Sequence, residues 1–147
     1  MTRYEQLLND IDESEILYIE TTSTKQPAKS MRDAGDYAIF MNERAFKTEE
    51  ERLEALMHEK GHCDSGAFYS VYTPLISRAR CECRAWRRAV LDNLPFEVLE
   101  EACEACKTAE GIDICEVADY LDMPDSFIDR AFEEYKLMGK EIFFDFE

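Results

Sequence analysis

The chain is poor in positive charge. Against 33 aspartates and glutamates stand 17 lysines and arginines, leaving a formal charge of −16 over 147 residues and a pI near 4.5. So acidic a surface excludes a broad footprint on nucleic acid or attachment to anionic lipid, since both present dense negative charge. The expected partner is neutral or basic, with no direct nucleic acid and no membrane involved. No apolar run reaches membrane-spanning length, and Met1-Thr2-Arg3-Tyr4-Glu5-Gln6 lacks the apolar segment of a secretory signal, so a cytoplasmic location is expected. Internal repeats and low-complexity tracts are also missing. The six cysteines (Cys63, Cys81, Cys83, Cys103, Cys106 and Cys115) do not sit in a short, loop-rich secreted framework, so they are expected to be reduced and unpaired. The length suits one compact domain, residues 1–147, with a core over 1–94 and a helical extension over 95–147.

Histidine is the scarcest functional residue, and both copies fall in one motif, His58-Glu59-Lys60-Gly61-His62. On a helix, imidazoles four residues apart project from one face and can grip one metal ion. The carboxylate between them is placed to take a proton from metal-bound water. The pattern H-E-x-x-H is the core of a zinc peptidase.

The motif has to lie on a helix for this chemistry, and its surroundings predict one. Thr48 followed by Glu51 matches a capping box, and Glu49, Glu50 and Glu51 favour the positive end of the helix dipole. Leu53, Leu56 and Met57 follow helical spacing, Gly61 is a weak helix former, and Gly66 is a plausible terminator. Upstream, Arg3 to Asp10 reads as a short helix, Glu15 to Thr21 as a strand, Thr21 to Gly35 as a loop, and Asp36 to Met41 as a strand pairing with the first. Downstream, helices are expected over Ser77 to Asp92, with Ala79, Cys83, Trp86 and Val90 near one face, then from Pro95 to about Thr108. A last pair runs from Asp113 to Leu121 and from Pro124 to Leu137, and Phe143, Phe144 and Phe146 form a tail expected to dock on the body. The class is α+β: mostly helical, with a small antiparallel sheet and a C-terminal helical segment.

A hydrolytic zinc site takes three protein ligands and leaves one position for water, so two histidines require a third donor, which must be a carboxylate or a thiolate. Glu82, in the middle of the helix after the motif, is best placed, and the arginines around it favour its ionised form. Cys63, Cys81 and Cys83 compete as thiolate donors. Cys103 and Cys106 make a solitary C-x-x-C without partners for a structural zinc site, and read as thiols on a packing face. Five of the ten arginines lie between Arg78 and Arg88. Either they clamp a substrate carboxylate, or, more simply, Glu97, Glu100, Glu101 and Glu104 neutralise them.

Leu56-Met57-His58-Glu59-Lys60-Gly61-His62, with a strand and a Thr-Glu-Glu-Glu helix start before it and Glu82-Cys83-Arg84-Ala85 after it, resembles the ImmA/IrrE family of metallopeptidases, which pair H-E-x-x-H with a downstream E-x-x-A. Ile114 to Pro124 is similar to the helical segment that follows the core in short phage and mobile-element members, so the likeness covers most of the chain from about Gly35. The resemblance implies a zincin-like α+β metalloprotease that cleaves a basic DNA-binding repressor of a phage or mobile element and so acts as an anti-repressor. On this reading His58, His62 and Glu82 bind Zn2+, and Glu59 is the catalytic carboxylate. Lys60 stands where the family commonly has an apolar residue.

The expected reaction is attack of a zinc-activated water on a peptide carbonyl, with Glu59 moving the proton and Tyr69, Tyr72 or an arginine of the next helix steadying the oxyanion. The rival is a non-enzymatic, metal-stabilised acidic module that sequesters a basic repressor. The segment from Ile114 to Lys136 has a helix-turn-helix outline, but its acidic second helix is unsuited to a DNA groove and reads as a packing or partner-docking element.

Overall fold

In the computed structural model, residues 1–142 are described; the expected docking of Phe143, Phe144 and Phe146 lies outside them. The fold is α+β. Its elements are α1 (Arg3–Glu13), β1 (Ile16–Glu20), β2 (Ala28–Asp33), β3 (Asp36–Met41), α2 (Glu49–Ser65), α3 (Leu75–Asn93), α4 (Phe96–Cys106), α5 (Ile114–Leu121) and α6 (Asp125–Leu137). The chain divides inside α3 into one compact unit of residues 1–89 and a second beginning at Val90.

In the first unit the sheet has the order β1-β3-β2. Two expectations are corrected here. The stretch from Thr21 to Gly35 is not all loop, because Ala28–Asp33 forms β2, antiparallel to β3 with Ser30 opposite Ile39. And β1 pairs with β3 in parallel, Tyr18 opposite Ile39, so the sheet is mixed. The causes are linked: β2 reverses the chain once and the hairpin reverses it again, so β3 runs in the direction of β1. The hairpin turns at Ala34 and Gly35, with φ of 50° and 86°. Positive φ at both central residues is the turn whose twist suits a two-residue hairpin, and Gly35 takes it without a Cβ penalty.

β3 is the central strand, and its Ile39 and Met41 are fully buried. Burial of each is worth about 1.5–3 kcal/mol. α1 adds Tyr4, Leu7 and Ile11 from one face, and α2 packs on β2 and β3 through Leu53, Leu56 and Met57. The start of α2 is as the sequence implies, with one difference. Thr48 Oγ1 accepts the backbone N–H of Glu51 at 3.2 Å, while the Glu51 carboxylate reaches past Thr48 to the N–H of Lys47, also 3.2 Å. Gly66 ends the helix in the left-handed region, φ 69°.

The second unit is helical. α4, α5 and α6 pack in sequence, burying Leu99 and Cys103, then Val117 and Leu121, then Phe127, Ile128 and Tyr135. Asp113 caps α5 by accepting the N–H of Cys115 at 2.9 Å. Both helices of the outlined helix-turn-helix thus spend their apolar faces on packing. Among the described residues no helix is long and apolar enough to cross a membrane.

Candidate metal centre

α2 presents His58 and His62 one turn apart, and their Nε2 atoms stand 3.1 Å from each other. α3 brings Glu82 against both: Oε2 lies 2.7 Å from His58 Nε2, and Oε1 lies 3.2 Å from His62 Nε2. One ligand atom from each residue falls within 4.8 Å of the others, so this His/His/Glu group can hold a metal ion. Tetrahedral donors at zinc distances are separated by about 3.3 Å, so the cluster needs little expansion to take one.

The close approach of the two helices has a local cause. A Cβ on Gly61 would meet the carbonyl oxygen of Ala85 at 2.2 Å, so only glycine lets α3 lie this near α2. Ala85 follows Glu82 by three residues and is itself fully buried. The small residue of E-x-x-A and the glycine of the motif are therefore one packing contact, and that contact carries the third donor to the first two.

The His62 imidazole is oriented by the backbone. His62 Nδ1 is 2.6 Å from the carbonyl oxygen of Ala67. A carbonyl only accepts, so Nδ1 carries the proton, and in the neutral ring the lone pair sits on Nε2, facing the cluster. The His58 ring lies against Trp86, centroids 4.1 Å apart. Burial lowers the pKa of His62, but its hydrogen bonds to Glu82 and Ala67 outweigh that and the net shift is upward. Glu82 is held well below the usual carboxylate range by hydrogen bonds from His58 and from the protonated form of His62, with a further one from Tyr69. A set that keeps its carboxylate ionised and draws positive charge to its nitrogens fits a cation at its centre.

A cleft of about 540 Å³ opens over the three donors, and Glu59 lines it with them. Along one side run Ala28, Lys29 and Ser30 of β2, whose outer edge is unpaired in the sheet. On the other side is the loop between α2 and α3. Its Tyr69 hydroxyl donates to Glu82 Oε1 at 2.8 Å, and this bond, with burial, pushes the phenol up to about 12. Arg78 braces the loop, donating to the carbonyls of Val71 and Thr73.

The other sequence candidates fall elsewhere. Tyr72 is 92 % exposed. Cys63 is buried, its thiol pushed up to about 12 by desolvation; Cys81 points at the carbonyl of Phe68; and Cys83 is exposed, so none joins the donor set. All six cysteines are free. The Lys60 side chain is 13 % exposed, and its ammonium sits 2.5 Å from Asp64, one turn along. The expected apolar face of α3 holds at Val90, which is fully buried, and at half-buried Trp86, but is corrected at Ala79 and Cys83, which are exposed, while Ala85 and Ala89 are buried. Tight contact at Gly61 selects small side chains at those last two positions. Sequence reasoning missed the Trp86 contact with His58; the i, i+4 spacing from Glu82 was the signal for it. No family model, curated protein or solved structure matches this chain.

Proposed function

We propose that the chain is a zinc-dependent endopeptidase of the ImmA/IrrE type that cleaves a basic DNA-binding repressor of a phage or mobile element. The observation that carries this reading is the convergence of His58, His62 and Glu82 within 4.8 Å in a cleft that also holds Glu59. Two imidazole nitrogens and one carboxylate oxygen suit zinc, and three protein donors leave a coordination position open. A zinc ion held there supplies Lewis acidity, bringing the deprotonation of water into the neutral range and polarising a carbonyl.

The chain's own residues supply the rest. The free edge of β2 takes an extended peptide by backbone hydrogen bonding, which sets the carbonyl across the cleft independently of side-chain sequence. A carboxylate oxygen of Glu59 accepts the proton of the attacking water and returns it to the leaving amide nitrogen. The Tyr69 hydroxyl, still protonated at neutral pH and already aimed at the cluster, is the donor for the oxyanion. The acidic surface favours encounter with a basic protein.

The test is incubation of the zinc-loaded protein with basic DNA-binding repressors, read by mass spectrometry. Discrete fragments are expected, and none with Glu59→Gln, which retains the three metal donors. Tight binding without fragments would instead make the chain a sequestering module.

A further inference from the structure

The outer face of α3 carries an arrangement that the metal centre does not use. At 100° per residue, Glu82, Arg78 and Trp86 share the side facing the cleft, while Ile76, Arg80, Cys83, Arg84 and Arg87 fall on the other. These outward residues line a second groove of about 410 Å³. It runs from Ile76 to Arg87, about 16 Å or three helical turns. At its N-terminal end it is continuous along the chain with Val71, Tyr72, Leu75 and Ile76, which are 78, 92, 79 and 70 % exposed. Scattered surface apolar residues are ordinary, but four within six positions, leading into a groove, make a patch of the kind that marks an interaction site.

Charge narrows the occupant. Arg80 and Arg84 are exposed, one turn apart, and have no ion pair or hydrogen bond among the described residues. Like charges at this spacing disfavour the helix, in a chain that has acidic residues to spare. Nucleic acid and anionic membrane present extended negative surfaces and meet the repulsion of the whole −16 chain. A short helix with an apolar stripe flanked by carboxylates matches the groove and meets only the local field, since salt screens charge interactions beyond about 10 Å.

We infer that the outward face of α3 is an exosite that docks an acidic amphipathic helix of the substrate protein while an extended segment of the same protein lies in the cleft. Val71 lines the cleft and also begins the exposed patch, so the two surfaces adjoin. The inference rests on the peptidase reading for its purpose, but not for its binding chemistry. The acidic surface steers the basic protein inward; the α3 stripe then reads a helix outside its basic face and sets which segment reaches the cleft.

The probe is a labelled synthetic peptide with leucine at helical spacing flanked by glutamate, titrated into the Glu59→Gln chain of residues 1–147 by fluorescence anisotropy. Saturable binding is expected, about tenfold or more tighter than for the same peptide with lysine in place of glutamate. Arg80→Glu with Arg84→Glu should weaken it by about tenfold or more, and Ile76→Ser should weaken it without altering charge. Chelating zinc should leave peptide binding as it was. Equal binding of the lysine peptide, indifference to charge reversal in a folded variant, or tighter capture of duplex DNA or phosphatidylserine vesicles at this face would overturn the inference. Because binding is measured on a chain unable to cleave, failure of the peptidase reading leaves this result standing, and failure here leaves the cleavage assay untouched.

Discussion

Gly61 and Ala85 are in backbone contact: a Cβ on the glycine would sit 2.2 Å from the alanine's carbonyl oxygen. This contact fixes the spacing of α2 and α3, and with it the distance from Glu82 to both histidines.

Gly61→Ala is therefore expected to damage both the fold and the centre, because the atom in the way is a backbone oxygen that cannot rotate aside. The clash should outweigh the gain of about 1 kcal/mol in helix propensity, so the melting temperature should fall. Because α3 must move outward, zinc affinity should drop by about tenfold or more, read by competition with a chromophoric chelator. Unchanged zinc affinity would show that the contact does not set the donor geometry.

Tyr69→Phe removes the hydroxyl that donates to Glu82 Oε1 at 2.8 Å. Loss of such a supporting bond typically costs about 10- to 100-fold in metal affinity or activity. If Tyr69 also steadies the oxyanion, kcat should fall further at saturating zinc while KM changes little.

Alkaline pH should destabilise the second unit through Tyr135. Its hydroxyl donates to the carbonyl of Leu94 at 2.6 Å, and burial, reinforced by Glu97, pushes the phenol up to about 12. The folded pKa lies above the unfolded value of about 10, so the stabilisation is complete below pH 10 and is lost as pH rises to about 12. Tyr135→Phe should cost about 1 kcal/mol at neutral pH and lose less stability than wild type between those limits, measured by urea melts across the range.

Thiol labelling should distinguish exposure from reactivity. Cys83 and Cys115 are both exposed, but Cys115 Sγ donates to Asp125 Oδ2 at 3.2 Å, and that bond raises its pKa. Cys83 should label first, Cys115 more slowly, and buried Cys63 and Cys103 last. Asp125→Asn should speed Cys115 several-fold, about the effect expected from a larger thiolate fraction.

The parts legible in the sequence were those written in local terms. Thr48 and Glu51 announce the start of α2, Gly66 its end, and H-E-x-x-H puts two imidazoles on one helix face, because helix caps and i, i+4 spacing act within a few residues; Glu82, from the next helix, joins them in a group that could hold a metal ion. β2 was not legible, since Ala-Lys-Ser-Met-Arg-Asp is an edge strand without apolar alternation and is held by its pairing with β3. Nor was the parallel pairing of β1 with β3, which depends on that hidden strand. The packing face of α3 was read correctly at Val90 but not at Ala79 and Cys83, because the contact with Gly61, which no local pattern reveals, turns Ala85 and Ala89 inward. Lys60 is explained by Asp64, a pairing visible at i, i+4 once the lysine is known to be half-buried.

The most direct measurement of the central claim is X-ray absorption on the zinc-loaded protein with its metal content quantified. The account predicts one zinc per chain in a shell of nitrogen and oxygen at about 2.0–2.1 Å, with histidine scattering and no sulfur. Sulfur at about 2.3 Å, or zinc retained undiminished by a chain lacking His58, His62 and Glu82, would contradict it.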